Sequence, residues 1–247
     1  MSQFGRFAWR ELVTSDVAAA KRFYGEVFGW SSQEVPMGGM NYTMFAANGV
    51  DVAGAMPLPM KDVPPHWYGY VTVEDVDAGA TRAAAAGGQL VMPAQDAPGI
   101  GRFAVALDDQ GAVFGFFKPE DAPTAPGAPK VGEFCWESYG SNDHAKAIAF
   151  YTKVLGWKTG PFGGMTTFGI GDGPANQVAD LSPAPPGVPP HWMSHVVVDS
   201  LAPARERVKR LGGSILMDAI VVPSVGTFAV VRDPQGATIS LFQPEAR

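Results

Sequence analysis

Apolar residues recur along the chain with two different periods, which predict short strands and amphipathic helices. The alternating stretch from Phe7 to Val13 predicts a strand. Ser15 or Asp16 can cap a following helix, and Gly29 is expected to end it. The apolar face of that helix consists of Val17, Ala20, Tyr24, Val27 and Phe28. Two or three short strands then follow, with a hairpin turn at Asn48-Gly49.

The same order of elements is predicted a second time in the next part of the chain. Tyr68 to Val73 predicts a strand, and Asp75 begins an alanine-rich helix that ends at Gly87-Gly88. Three further strands are expected near Gln89 to Met92, Arg102 to Leu107 and Ala112 to Phe117. The first half of the chain is therefore predicted to contain two modules of one strand, one helix and three strands (βαβββ).

The second half of the chain repeats the first. The segment "FAWRELVTSDVAAAKRFYGEVFGW" from Phe7 returns as "FCWESYGSNDHAKAIAFYTKVLGW" from Phe134, an offset of 134 − 7 = 127 residues. The segment "PPHWYGYVTVEDVD" from Pro64 returns as "PPHWMSHVVVDSLA" from Pro189, an offset of 189 − 64 = 125 residues. A tandem repeat of this kind predicts four βαβββ modules in one chain.

Four such modules predict an α+β fold of two tandem domains, with mixed sheets covered by helices. The first domain is predicted to span residues 1–118 and the second residues 131–247, each large enough to bury its own core. Residues 119–130 are rich in Pro and Ala, which favours an extended and semi-rigid linker between the domains.

The charge and the cysteine content of the chain indicate which partners and which cellular location to expect. The net charge is −6 without runs of Lys or Arg, which argues against nucleic acid and anionic membranes as partners. The sequence offers neither a basic segment followed by a long apolar one at its start nor a stretch of about 20 apolar residues. Cys135 is the single cysteine, so an internal disulfide is ruled out. Together these features predict a cytoplasmic protein.

The repeated segments resemble the vicinal-oxygen-chelate superfamily, which includes glyoxalase I, bleomycin-resistance proteins and extradiol dioxygenases. The resemblance is carried by "VTSDVAAAKRFYGEVFGW", "GSNDHAKAIAFYTKVLGW", "LDDQGAVFGFFKP" and "RDPQGATISLFQP". It covers the whole chain apart from the linker, and the nearest likeness is to double-domain glyoxalase-like members. It implies that paired βαβββ modules curl into half-barrels whose inner face holds a ligand.

The resemblance also implies where a metal would bind. Metal-dependent members place His or Gln in the first strand of a module and Glu in the last strand. The residues at these positions in this chain are Trp9, Tyr68, Trp136, Met193, Gly115 and Ser240. A catalytic cation needs about three convergent nitrogen or oxygen donors, and this set is poor in such donors. We therefore expect neither a metal nor another cofactor, which argues against glyoxalase I and extradiol dioxygenase activity.

Residues two apart on a strand share a face, so the same positions predict the wall of a cavity. The expected ligand-binding residues are Trp9, Tyr68, Tyr70, Trp136, Ser138 and Met193, and the candidate catalytic residues are Glu11 and His195. Such an aromatic wall suits a flat or apolar organic ligand. In an apolar cavity Glu11 would favour its neutral form, which makes it a candidate proton donor or base.

Each candidate also has a purely structural interpretation. Trp9 and Trp136 could fill the core of a barrel that binds no ligand, Glu11 could lie in solvent or pair with an arginine, and a neighbouring group could satisfy His195. The pairing of the modules is open as well. Within-domain pairing would place Glu11 opposite Tyr68, whereas crossed pairing would place it opposite His195, and the linker is long enough for both.

Three functions remain open on the sequence. The first is a protein that binds a small aromatic or apolar organic molecule without chemistry, as bleomycin-resistance members do. The second is a metal-independent lyase, isomerase or hydroxylase-like enzyme that uses Glu11 and His195. The third is a metal-dependent glyoxalase-like enzyme with unconventional ligands. The expected partner is a small organic molecule, and the chain is expected to be a monomer or a homodimer.

Overall fold

The computed structural model describes residues 4–37, 39–60, 62–121, 127–162 and 164–245. Residues 122–126 of the predicted linker lie outside the described residues. Among the described residues, no helix has the length and apolar composition needed to cross a membrane.

The order of elements is the predicted one, βαβββ repeated four times. Module 1 consists of β1 (Phe7–Thr14), α1 (Val17–Phe28), β2 (Ser31–Met37), β3 (Met40–Ala47) and β4 (Val50–Pro57). Module 2 consists of β5 (His66–Thr72), α2 (Val76–Ala85), β6 (Gln89–Ala97), β7 (Gly101–Leu107) and β8 (Val113–Pro119). Module 3 consists of β9 (Phe134–Gly140), α3 (His144–Leu155), β10 (Lys158–Phe162), β11 (Met165–Gly169) and β12 (Gln177–Ser182). Module 4 consists of β13 (His191–Val197), α4 (Leu201–Arg210), β14 (Ser214–Val222), β15 (Gly226–Arg232) and β16 (Thr238–Pro244).

Local sequence signals set the ends of these elements. The carboxylate of Asp16 accepts a hydrogen bond from the backbone N–H of Ala19, so Asp16 caps α1 as predicted. Gly29 ends the same helix in the left-handed conformation, with φ of 76°. Asn48 and Gly49 both have positive φ and connect β3 to β4 in a tight hairpin.

The strands form two similar eight-stranded mixed sheets, which confirms the predicted α+β class. In the first sheet the strand order is β2-β3-β4-β1 within module 1 and β5-β8-β7-β6 within module 2. In the second sheet it is β10-β11-β12-β9 within module 3 and β13-β16-β15-β14 within module 4. The first and last strands of each module run parallel, and the other neighbours are antiparallel.

The described residues divide into two compact units, each of which takes modules from both halves of the chain. One unit combines Trp9–Trp67, Ala128–Trp136 and Met193–Arg247, so it contains most of modules 1 and 4 and is called the 1/4 unit. The other combines Met1–Ala8, Tyr68–Gly127 and Glu137–Trp192 and is called the 2/3 unit.

Each unit has its own apolar core, which packs the helices and one face of the strands. The core of the 1/4 unit includes Leu12, Phe23, Phe45, Val196, Val208 and Leu241. The core of the 2/3 unit includes Val71, Phe114, Tyr139, Phe150, Phe168 and Trp192. Burying these large side chains supplies the main driving force for folding, at about 25 cal/mol per Å² of apolar surface.

A buried hydrogen-bond chain stabilises the 1/4 unit. The indole N–H of Trp67 donates to Tyr24 Oη at 2.8 Å, and Tyr24 Oη donates to Asp233 Oδ2 at 2.8 Å. Asp233 Oδ1 accepts from three backbone N–H groups of the turn that follows it. Burial and the nearby Asp233 raise the pKa of Tyr24 well above its usual value, so its hydroxyl remains a donor.

The 2/3 unit contains the corresponding chain. The indole N–H of Trp192 donates to Tyr151 Oη at 2.8 Å, and Tyr151 Oη donates to Asp108 Oδ2 at 2.8 Å. A second phenol, that of Tyr139, also donates to Asp108 Oδ2 at 2.5 Å. The "FY", "PPHW" and aspartate-turn segments that carry the sequence resemblance therefore supply structural contacts in both units.

Candidate functional site

The eight predicted site residues lie on the strand faces that turn away from the unit cores. Leu12 of β1 and Val196 of β13 belong to the core of the 1/4 unit. Because successive side chains of a strand alternate, their neighbours Glu11 and His195 face away from that core. The same alternation turns Trp9 and Met193 away from the core of the 1/4 unit. In the 2/3 unit Val71 and Tyr139 belong to the core, so Tyr68, Tyr70 and Ser138 face away from it. Trp136 shares the face of Ser138 on β9.

Glu11 is the centre of a polar group on module 1. Its side chain is only 5% exposed. Its Oε2 accepts a hydrogen bond from Tyr42 Oη at 2.8 Å, and Tyr42 Oη accepts from the indole N–H of Trp9 at 3.0 Å. The other carboxyl oxygen, Oε1, is buried and has no hydrogen-bond partner. We call Trp9, Glu11 and Tyr42 the Glu11 group.

The environment of the Glu11 group favours a neutral carboxyl. Burial raises the pKa of Glu11 to about 8, although the hydrogen bonds from Tyr42 and Trp9 act in the opposite direction. Since a carboxyl with this pKa is mostly protonated at neutral pH, Glu11 can donate a hydrogen bond or a proton.

Gly54 leaves the space in which the Glu11 group is assembled. Gly54 of β4 pairs directly with Glu11 of β1 in the parallel register. A Cβ atom at Gly54 would lie 1.6 Å from Tyr42 Oη and 2.9 Å from Glu11 Oε1. A side chain at this position is therefore incompatible with the observed position of the Tyr42 phenol.

In module 3 the corresponding acid is Asp180, which lies on β12, the strand that pairs with β9. Ser138 of β9 pairs with Asp180 of β12 in the register in which Glu11 pairs with Gly54. Asp180 Oδ1 accepts from Ser138 Oγ at 2.5 Å, and Asp180 Oδ2 accepts from Ser182 Oγ at 2.5 Å. Both oxygens of this buried carboxylate are hydrogen-bonded within the module.

The corresponding face of module 2 is aromatic. Tyr68 and Tyr70 are buried, and their hydroxyl groups lie 3.0 Å apart in hydrogen-bond contact. The ring of Tyr70 covers Gly115 of β8, where a Cβ atom would lie 2.1 Å from the Tyr70 ring. Phe103 of β7 packs edge-on against Tyr70, with ring centroids 6.1 Å apart.

Module 4 replaces this phenol pair with Met193 and His195, both of which are buried. His195 packs edge-on against Phe228, with ring centroids 5.4 Å apart. Ser240 lies opposite His195 in the register of β13 and β16, and its buried Oγ has no hydrogen-bond partner. His195 and Glu11 each lie on the face of their strand opposite the core of the 1/4 unit.

Comparisons with known proteins agree with this architecture. The sequence model of the Glyoxalase/Bleomycin resistance protein/Dioxygenase superfamily matches residues 4–116 and 138–241. The chain belongs to this superfamily. The resemblance inferred from the repeated segments is therefore confirmed.

Alignments with two curated relatives cover almost the whole of this superfamily member. It is 34% identical over 244 residues to the "Putative glyoxylase CFP32" of Mycobacterium tuberculosis, which covers 96% of this chain and 94% of that protein. It is 30% identical over 259 aligned residues to the "Anthracycline biosynthesis protein DnrV" of Streptomyces peucetius, which covers 97% of this chain and 93% of that protein.

A solved structure shows the same fold at lower identity. The Mn(II)-bound glyoxalase from Novosphingobium aromaticivorans matches with a TM-score of 0.63 and 20% identity, over 98% of this chain and 83% of that chain. At this level of identity the likeness concerns the fold and not the chemistry.

The residues of this superfamily member do not fit the metal that the resemblance implies. The positions that hold metal ligands in metal-dependent relatives carry Trp9, Tyr68, Trp136, Met193, Gly115 and Ser240. The indole N–H of Trp9 is a hydrogen-bond donor and is already used by Tyr42. In the part of the chain that the structure describes, no three His, Cys, Asp or Glu side chains are grouped to hold an ion. No catalytic step is therefore assigned to a metal.

Sequence reasoning missed Tyr42, Gly54 and Asp180. Only Gly54 gave a local signal, since a glycine in the interior of a strand often marks a close approach of another group. Tyr42 and Asp180 lie on strands that sequence reasoning did not assign to the site, and only the strand register brings them to it.

Proposed function

We propose that this superfamily member binds a small organic molecule, aromatic or apolar in character, against the Glu11 group and without the superfamily metal. The observation that carries the proposal is the unpaired Oε1 of Glu11 at 5% exposure. An unsatisfied buried polar atom costs about 1–3 kcal/mol. Buried polar atoms without a partner are rare in native proteins, and a ligand at this position would supply the partner that Glu11 Oε1 lacks.

The neighbours of Glu11 favour an aromatic or apolar ligand. The indole of Trp9 is half-buried, so part of this large ring remains available for contact, and Tyr42 supplies a second ring beside the carboxyl. Aromatic walls with few polar groups are typical of sites for flat organic molecules. The names of the two curated relatives, a glyoxylase and an anthracycline biosynthesis protein, are both compatible with a small organic ligand.

Tryptophan fluorescence during titration with a panel of naphthalene- and anthracene-based compounds tests this proposal. We expect saturable binding of at least one compound and loss of that binding in Trp9→Leu. Trp136→Leu is the matched variant, because Trp136 holds the same position in the second repeat. If the complete panel produces no saturable change, or if both variants bind as the wild type does, the proposal is wrong.

A second candidate function is metal-independent acid–base catalysis by Glu11, with His195 as the other candidate catalytic residue. The pKa of Glu11, raised to about 8 by burial, favours this function because it lies close to the pH at which such an acid or base operates. Glu11→Gln keeps the shape of the side chain and removes the proton that could be transferred. We expect Glu11→Gln to bind panel compounds but to form no product by mass spectrometry, and unchanged turnover would eliminate this candidate.

A further inference from the structure

We infer that Glu11 donates a hydrogen bond to a carbonyl oxygen of the bound molecule, so that the ligand class is an aromatic ketone or quinone. This inference rests on the proposed function, because it names the chemistry of a ligand at the same site. It excludes plain hydrocarbons and organic amines as the preferred ligands.

Two hydrogen-bond donors, Trp9 and Tyr42, belong to the Glu11 group. Trp9 Nε1 can only donate, and its proton is directed at Tyr42 Oη. Tyr42 has a single hydroxyl proton, which is directed at Glu11 Oε2. Both donors stabilise the Glu11 carboxyl, and its Oε1 has no hydrogen-bond partner.

The burial of Glu11 disfavours a charged carboxyl. An ionised Glu11 would keep a negative charge in a site that is almost closed to water, with hydrogen bonds to only one oxygen. Burial makes this form unfavourable, as the raised pKa of about 8 reflects. Because Oε2 accepts from Tyr42, the proton of the neutral acid belongs on Oε1.

The partner that Glu11 Oε1 lacks is a hydrogen-bond acceptor. A protonated Oε1 is a donor without an acceptor, and the complementary group on an organic ligand is a carbonyl oxygen. An ammonium group would need an ionised carboxylate, which this site disfavours. The space over Gly54 is filled by the Tyr42 phenol, so the ligand must reach Oε1 from a side that Tyr42 does not cover.

Within the 1/4 unit, the groups that act on Glu11 come from three strands. Tyr42 on β3 is the titratable group that contacts it, and Gly54 on β4 carries no side chain. On β1 the residues that share its face are Trp9 and Val13, neither of which titrates. Of these groups, Glu11 has a pKa of about 8, which lies within the pH range of the test below.

Isothermal titration calorimetry with two matched compounds tests the inference. The probes are 2-acetylnaphthalene and 2-isopropylnaphthalene, which have nearly the same shape and differ in the carbonyl oxygen. At about pH 6 we expect the ketone to bind the wild type about tenfold more tightly, since the hydrocarbon leaves the carboxyl donor unpaired. Raising the solution to about pH 9 should weaken binding of the ketone by about tenfold and leave binding of the hydrocarbon unchanged.

Variants of Glu11 separate the hydrogen bond from general packing. Glu11→Gln retains an N–H donor, so it should keep the preference for the ketone but lose the pH response. Glu11→Leu removes the donor and should bind both compounds equally. Glu34→Leu is the control, because Glu34 belongs to the same module, is exposed and should leave both affinities unchanged.

The outcomes distinguish this inference from the proposed function. Equal binding of both compounds by the wild type would overturn the inference and leave small-molecule binding intact. A ketone preference that persists in Glu11→Leu would overturn it as well. Failure of the wild type to bind either compound would contradict the proposed function, and the inference with it.

Discussion

The two compact units share their buried hydrogen-bond chains but differ in the groups on the opposite strand faces. Trp67, Tyr24 and Asp233 form the chain of the 1/4 unit. Trp192, Tyr151 and Asp108 form the corresponding chain of the 2/3 unit with the same donor directions. We infer that the duplicated hydrogen-bond chain serves the fold. We expect function to depend on the opposite strand faces, where the two units differ.

The position of the carboxyl group is the most informative difference between those faces. In module 1 the pair is Glu11 with Gly54, and in module 3 it is Ser138 with Asp180. On these faces each of the two modules thus keeps one buried acid, but on a different strand. Asp180 is hydrogen-bonded through both oxygens, whereas Glu11 keeps one oxygen without a partner. We therefore expect Asp180 to have a structural role and Glu11 to be the acid that contacts a ligand.

The largest expected effect is the loss of stability when the buried hydrogen-bond chain of either unit is broken. Asp108 accepts from two phenols, whereas Asp233 accepts from one, because Leu12 stands where the second half has Tyr139. Replacing either aspartate with asparagine puts an amide N–H₂ against at least one phenol donor. We expect the free energy of unfolding to fall by about 3–5 kcal/mol in Asp108→Asn and about 2–3 kcal/mol in Asp233→Asn, measured by urea unfolding.

Asp218→Asn is the control for this comparison, since Asp218 is exposed and pairs with Arg205 at the surface. An exposed ion pair contributes at most about 1 kcal/mol, so its loss should change unfolding little. Equal losses in Asp108→Asn and Asp233→Asn would contradict the claim that the second phenol distinguishes the two units.

Much of the fold could be predicted from the sequence because its signals are local. The cap at Asp16, the left-handed Gly29 and the Asn48-Gly49 turn each depend on neighbouring residues alone. The duplication in the sequence then extended the prediction from two modules to four. The division into a 1/4 unit and a 2/3 unit could not be predicted, because a linker of this length allows either pairing.

The candidate site was predictable only along single strands. Alternation assigned Trp9 and Glu11 to the same face, and the structure places both in the Glu11 group. Tyr42 belongs to β3, whose register against β4 shifts at a bulge between Phe45 and Ala46. A one-residue shift reverses which side chains share a face, and no local signal fixes it. The hydrogen-bonded partner of Glu11 was missed for this reason.

The second prediction concerns the stability of Glu11→Gln. The pKa of Glu11 is raised from 4.5 to about 8, so the folded state holds this proton more tightly than the unfolded state. The stabilisation is complete below about pH 4.5 and is lost as the pH rises to about 8. Urea unfolding should show similar stability of wild type and Glu11→Gln at the acidic end. At about pH 8 the variant should be more stable by about 4 kcal/mol.

Glu34→Gln provides the matched control for that pH profile. It makes the same substitution in module 1, but the carboxyl is exposed and pairs with Lys21. We expect its stability to follow the wild type across the pH range. If the wild-type and Glu11→Gln profiles are parallel, Glu11 ionises in the folded state as an ordinary carboxyl does, and its contrast with Asp180 disappears.

The third prediction tests whether Gly54 is required by Tyr42 or by the fold. In Gly54→Ala the new methyl group meets the Tyr42 phenol, which must move away from Glu11. We expect a loss of about 2 kcal/mol in the free energy of unfolding and weaker binding of any ligand of the Glu11 group. Gly160→Ala is the control, because the strand position of Gly160 has open space for a methyl group. Full stability and unchanged binding in Gly54→Ala would show that the Tyr42 phenol does not occupy this space.

The smallest expected effect is a shift in the titration of Glu11 itself. The hydrogen bond from Tyr42 lowers the pKa of Glu11, so Tyr42→Phe should raise this pKa above about 8. A single hydrogen bond is worth about 1 kcal/mol, which corresponds to a shift of about one unit. Carbon-13 NMR of the glutamate carboxyl groups measures the shift, with Glu11→Gln identifying the resonance. Tyr68→Phe is the control, because the Tyr68 hydroxyl contacts Tyr70, and it should leave the Glu11 resonance unchanged. A lower pKa in Tyr42→Phe would mean that Tyr42 does not donate to Glu11, and the proton count that favours a carbonyl ligand would no longer hold.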